Sequence, residues 1–176
     1  TAHAFPLPDA VDVRLVGERV EMTVFPTLVS VRATFHFVGG TRGAPDLTAG
    51  FPDRLTWYTS PPLQEIRVLV DGTEVSLVYV AARHGPPDAR RPAFSTWWAF
   101  PLGVGAGQER TVEVTYQQPL VYDGSAGARW VDGPPTVVRY PLRYVLRTGA
   151  LWTGPIEYAD LVLRAYTKRA IEYSRV

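Results

Sequence analysis

Alternation of apolar and polar residues governs this chain. From Leu28 to Val38, Val29, Val31, Ala33, Phe35 and Phe37 alternate with Ser30, Arg32, Thr34 and His36. Successive strand side chains point to opposite faces, so this period of two predicts a half-buried β-strand. Val11 to Val16 and Arg19 to Phe25 alternate too, predicting two strands joined by a turn at Gly17-Glu18. Ile66–Val70, Asp71-Gly72 and Thr73–Val80 predict a hairpin, because Asp-Gly suits the type I′ turn whose central residues need positive φ. Thr111 to Tyr116 places Val112, Val114 and Tyr116 on one face. Val137 to Arg147 and Tyr158 to Tyr166 bring the expectation to nine or ten strands with little or no helix. Tyr166 to Val176 reads as a strand extension or a short helical turn.

Punctuation fits the same picture. Phe-Pro occurs at Phe5-Pro6, Phe25-Pro26, Phe51-Pro52 and Phe100-Pro101. Proline cannot donate to a ladder, so each step predicts a strand end or an edge, with the phenylalanine capping the core. Residues 39–45, 83–92 and 123–135 read as loops, the last being the one candidate hinge or annex boundary. Short strands with Gly/Pro punctuation predict an all-β fold, an antiparallel β-sandwich formed as a single domain over residues 1–176.

Composition narrows the function classes. A chain of 176 residues buries roughly 70% of its unfolded surface and needs no disulfide or metal to fold. The absence of cysteine removes disulfides, thiol nucleophiles and Cys-based zinc sites together. The net charge is +1 and basic residues form no stripe, which argues against nucleic acid as a partner. Lys168 is the single lysine and asparagine is absent, so there is no N-glycosylation acceptor. That bias suits a GC-rich genome and a thermophile-like composition. No apolar run approaches the ~20 residues of a transmembrane helix. Thr1-Ala-His-Ala-Phe5 contains an Ala-x-Ala triplet like the tail of a secretory signal, which favours export.

Candidate chemistry is sparse. His3, His36 and His84 share no metal-binding spacing, and the acidic residues match no calcium loop, so no metal or cofactor is expected. Ser125 lies in Asp123-Gly-Ser-Ala-Gly127, which misses the Gly-x-Ser-x-Gly spacing and the helix of a nucleophile elbow. Gly103-Val-Gly-Ala-Gly107 lacks the lysine and helix of a phosphate loop. Glu65, Glu74, Glu113 and Glu157 fall on strands or strand ends, where solvated charge is the default. No catalytic residue is assigned. Aromatics are the enriched class that can bind something. Trp57-Tyr58 and Trp97-Trp98 are adjacent pairs, so one ring of each pair should face outward. Trp57, Trp98 and Trp130 are the candidate binding residues, as stacking platforms or protein anchors.

One stretch is denser in specific residues than any other. Tyr144, Leu146, Thr148-Gly149, Trp152 and Gly154-Pro155-Ile156, with Leu161 and Leu163 beyond, form a strand, a Gly/Pro turn and a second strand. Together with Glu21-Met22, Val24, Val29-Ser-Val31, Phe35-His-Phe37 and Gly50-Phe51-Pro52, this pattern resembles the signature of a bacterial exported domain family of unknown function, numbered 4424. Where that family carries an asparagine after the long strand, this chain has Gly39-Gly40. The resemblance implies a secreted or envelope-associated β-rich module and transfers no catalytic residue. Physically, Thr148, Gly149, Trp152, Gly154 and Pro155 read as a structural corner, with Trp152 covering the open end of the sandwich.

The expectation is therefore a non-enzymatic, extracytoplasmic interaction or scaffold domain with a protein or polysaccharide partner. The alternatives are a carbohydrate-binding module using exposed tryptophans and, behind it, a hydrolase whose carboxylate or serine site the spacing hides.

Overall fold

The computed structural model describes residues 5–6, 12–55, 62–81, 94–120 and 152–166. These residues form ten strands and no helix. They are β1 (Phe5–Pro6), β2 (Val13–Val24), β3 (Leu28–Gly39), β4 (Thr48–Leu55), β5 (Gln64–Val70), β6 (Thr73–Glu74), β7 (Val78–Ala81), β8 (Phe94–Pro101), β9 (Glu109–Pro119) and β10 (Tyr158–Ala165). Two sheets result, a four-stranded one ordered β1-β4-β8-β7 and a six-stranded one ordered β10-β2-β3-β9-β5-β6. Among the described residues no helix is long and apolar enough to cross a membrane.

The sheets pack face to face because the alternation gives each an apolar side. Val29, Val31, Ala33, Phe35 and Phe37 of β3 are all buried, as are Val112, Val114 and Tyr116 of β9. Ala49 and Phe51 of β4 and Phe100 of β8 join them from the opposite sheet in one core cluster. Phe51 meets Tyr116 across the sandwich with ring centroids 5.5 Å apart. Burial raises the Tyr116 hydroxyl well above the ordinary tyrosine value, because the phenolate would be stranded away from water.

Four expectations need correction. Gly17-Glu18 is no turn: β2 runs unbroken and carries a β-bulge between Leu15 and Gly17 that leaves Val16 as an extra residue. The bulge flips the alternation, so a one-residue phase error in the sequence read as a strand break. Gly17 is needed for close approach, since a Cβ there would sit 2.1 Å from the Tyr158 ring. The long second arm of the hairpin is also two strands. Its turn is as expected, with Asp71 and Gly72 both at positive φ and Leu69↔Glu74, Val70↔Thr73 paired. After Val75, whose N–H still donates to the Val68 carbonyl, the chain leaves the six-stranded sheet, and Val78 resumes as β7 beside β8. Period two persists through such a crossing, so alternation alone does not reveal it.

The third correction concerns pairing. β10 runs parallel to β2, from Tyr158↔Gly17 to Ala165↔Val24, whereas the other strand pairings among the described residues are antiparallel. The two strands are distant in sequence, so no hairpin constrains their relative direction. The fourth concerns Phe-Pro. Phe25 is exposed and stacks on Tyr166 at 5.9 Å instead of capping the core. Pro52 lies inside β4, where β1, which pairs with only Ala49 and Gly50, no longer flanks it.

At the expected corner Trp152 is 4% exposed and packs its ring 4.6 Å from that of Phe37. Gly154, with φ +79°, turns the chain, and Glu157 N–H donates to the carbonyl of the bulged Val16 at 2.9 Å. Thr148 and Gly149 lie outside the described residues, as do the 123–135 segment and the strand expected at 137–147.

The hairpin turn supplies a first test. Asp71 accepts the Thr111 N–H at 2.9 Å and pairs with Arg110. The backbone bond first, and the guanidinium second, hold its carboxyl below the usual carboxylate range. A lowered folded-state value means stability that is present above the ordinary carboxylate pKa and lost as pH falls through the lowered one. Asp71→Asn keeps a residue tolerant of positive φ but removes the charge. It should cost about 0.5–1 kcal/mol at neutral pH, the group being half exposed. Urea midpoints measured against pH should show a shallower acid limb for the variant, and an unchanged limb would dismiss the contact as an acid-sensitive tie.

Candidate functional site

In the four-stranded sheet four donors gather around one carboxylate. Pro52 pairs with Trp97 and Arg54 with Thr96, which leaves Asp53 as the extra residue of a β-bulge. A bulge re-aims its side chain, and here it is Asp53, at 3% exposure, that is carried inward. One oxygen, Oδ1, accepts the Leu63 N–H at 3.0 Å and the Trp98 indole N–H at 3.3 Å. The other, Oδ2, accepts the Tyr79 and Thr96 hydroxyls, each at 3.3 Å. Burying a carboxylate costs several kcal/mol unless its lone pairs are taken, and these donors take them.

The consequence is positional. β8 supplies Thr96 and Trp98, β7 supplies Tyr79, and the chain entering β5 supplies Leu63. Asp53 ties all of them to β4. The Tyr79 and Trp98 rings meet edge to face with centroids 4.7 Å apart. Trp98 is half-buried against the core, whereas Tyr79 is 50% exposed. Val78 and Val80 flank Tyr79 and are exposed on the other face of β7. A hydrogen-bonded hub therefore fixes an aromatic ring, with two valines beside it, on the strand that ends the sheet among the described residues.

Of the candidate binding residues, only Trp98 falls among those described; Trp57 and Trp130 lie outside them. Trp98 packs against the core, and its neighbour Trp97 is half-buried as well. Its indole N–H is committed to Asp53, so the ring presented to solvent is that of Tyr79, which the sequence reading did not single out. The available signal was Pro52 within an alternating run: a proline at that point implies a bulge, and the next residue is Asp53.

Other candidate groups are engaged elsewhere. Glu74 pairs with Arg67, Glu113 with Arg32 and Glu157 with Arg14, and Glu65 accepts from Gln117. His36 Nδ1 lies 3.3 Å from the Thr111 hydroxyl. Among the described residues no three His, Asp or Glu side chains gather as a metal site. An open groove of about 370 Å³ lies between residues 45–48 and 101–103, where Arg110 already binds Asp71 and the Gly103 carbonyl.

The architecture is similar to that of a provisionally named nutrient binding protein from Legionella pneumophila, with a TM-score of 0.67 and 14% identity over 86% of this chain. The chain spans about half the length of that protein, 49%, and the likeness is one of fold. Looser overlaps occur with leukotriene A4 hydrolase from Saccharomyces cerevisiae (TM-score 0.36, 13% identity, 60% of this chain and 15% of that one). An M1 zinc metallopeptidase from Deinococcus radiodurans overlaps similarly (TM-score 0.38, 13% identity, 66% and 22%). Both overlaps are too partial to carry an argument. No protein-family model matches the chain, and no curated protein matches it.

Proposed function

We propose that this chain is a non-enzymatic β-sandwich module that engages a protein partner through the β7 margin. The observation that carries this reading is the Asp53 hub, which holds Tyr79 half in solvent beside exposed Val78 and Val80. A pre-positioned aromatic ring loses little rotamer freedom on binding, and aromatic anchors dominate interface energetics. The saturated hydrogen bonding of Asp53, and the ion pairs of the glutamates named above, support a positioning role for these carboxylates over acid-base work. Placement outside the cytoplasm, in the bacterial envelope, is part of the proposal; it rests on the resemblance to the exported family.

Carbohydrate binding is the competing reading. Sugar stacking favours an open, flat ring face, whereas Tyr79 and Trp98 stand at 61° to one another. Titration with envelope and plant polysaccharides, followed by tryptophan fluorescence, separates the two. No saturable change is expected. A saturable shift abolished by Tyr79→Ala would replace the protein-partner reading with a glycan-binding one.

A further inference from the structure

We infer that two copies of this chain pair through β10, edge to edge and antiparallel, to form one continuous twelve-stranded sheet. Among the described residues β10 pairs with β2 alone and closes the six-stranded sheet at one end. It is exposed along its whole length except at Val162. Five of the eight large apolar side chains exposed among the described residues gather here: Tyr158, Leu161, Leu163, Tyr166 and Phe25, which stacks on Tyr166. Leu161 and Leu163 stand beside Val20 and Met22 of β2, which are core residues. They thus extend the apolar inner face of the sheet but are 59% and 43% exposed. An open apolar edge strand is a template for another strand.

The sequence of β10 specifies which strand fits. Around a two-fold axis at Val162, antiparallel pairing sets Asp160 opposite Arg164 of the partner subunit, and Arg164 opposite Asp160 of the partner subunit. The same register sets Leu161 opposite Leu163 of the partner subunit, Ala159 opposite Ala165 of the partner subunit, and Tyr158 opposite Tyr166 of the partner subunit. Charges meet opposite charges and leucines meet leucines, each on its own face, which is the self-complementarity an isologous contact demands. Moving the axis to Leu161 or Leu163 sets Asp160 opposite Val162 or Tyr166 of the partner subunit, and the charge pairing is lost.

The backbone is poised in the same register. The Tyr166 N–H donates to the Val24 carbonyl, so the even-numbered residues of β10 turn their peptide groups towards β2. Alternation then directs the N–H and C=O of Ala159, Leu161, Leu163 and Ala165 outward, where Leu161 exchanges paired bonds with Leu163 of the partner subunit and Ala159 with Ala165 of the partner subunit.

Sedimentation equilibrium of the full chain should return a dimer. Asp160→Arg sets arginine against arginine twice and should raise the dissociation constant by about tenfold or more. The charge exchange D160R/R164D restores opposite pairs and should recover dimerisation. Hydrogen exchange should show concentration-dependent protection at the Leu161 and Leu163 amides and none at Asp160 or Arg164. Circular dichroism confirms that each variant is folded. A chain that stays monomeric at every concentration overturns the inference, as does a dimer indifferent to Asp160→Arg or one in which the protection falls at Asp160 and Arg164 instead of the odd-numbered amides of β10. Val80→Asp, on the β7 margin, should leave the dimer intact, so failure of the proposed function and failure of this interface are separable.

Discussion

Trp152→Ala should destabilise the chain by about 3–5 kcal/mol, the usual cost of truncating a fully buried tryptophan. In thermal melts of a chain this size that corresponds to roughly 6–20 °C. Trp152 stands ahead of β10 and packs its ring beside that of Phe37 at 4.6 Å. The backbone around it is fixed independently. Thr153 N–H donates to the Val13 carbonyl at 3.0 Å, and Gly154 turns the chain with φ +79°. Because the residues that follow it stay bonded to β2 through Thr153 and Glu157, the cavity has limited freedom to collapse, which places the expected loss towards the upper part of the range. Trp152→Phe keeps part of the volume and should lose distinctly less. A Trp152→Ala variant that melts with the parent chain would remove the ring from the core and dissolve the structural reading of the corner.

Asp53→Ala should cost about 3 kcal/mol, because it strands several part-buried or buried donors at once and each unsatisfied one costs about 1–3 kcal/mol before relaxation. The more discriminating variant is Asp53→Asn. Its Oδ1 can still accept from Leu63 N–H and from the Trp98 indole, the two donors that cannot reverse role. Its amide then faces the Tyr79 and Thr96 hydroxyls, which can rotate to accept. The expected loss is therefore about 1 kcal/mol, with the Tyr79 and Trp98 rings still in contact. Urea denaturation gives both values. Equal losses for the two variants would mean that charge, and not the count of donors, governs the hub.

The contrast between these two sites shows what a sequence exposes. The strands at β3 and β9 are legible because they are half-buried, and burial of one face writes itself as alternation. Trp152 is legible because a tryptophan beside a Gly/Pro turn has one economical place to go. The Val16 bulge is not legible because it interrupts the alternation as a turn would, and the exit of the chain after the Asp71-Gly72 hairpin and the parallel entry of β10 are not because alternation persists through both. The Asp53 hub was hidden for a related reason. Its partners come from positions 63, 79, 96 and 98, and only a bulge of one residue brings them to the same carboxylate. Trp98 was singled out as a ring for a ligand. In the folded chain its indole N–H serves Asp53, and the exposed ring beside it is Tyr79.

The direct measurement is site-specific photocrosslinking in intact cells of the source organism, with a photoreactive phenylalanine analogue in place of Tyr79. A discrete protein adduct is expected. It should vanish when Val80→Asp is added, and it should be absent when the probe stands at exposed Thr48 on the same sheet. Labelling at position 79 that matches position 48, or that ignores Val80→Asp, would contradict a partner surface at the β7 margin.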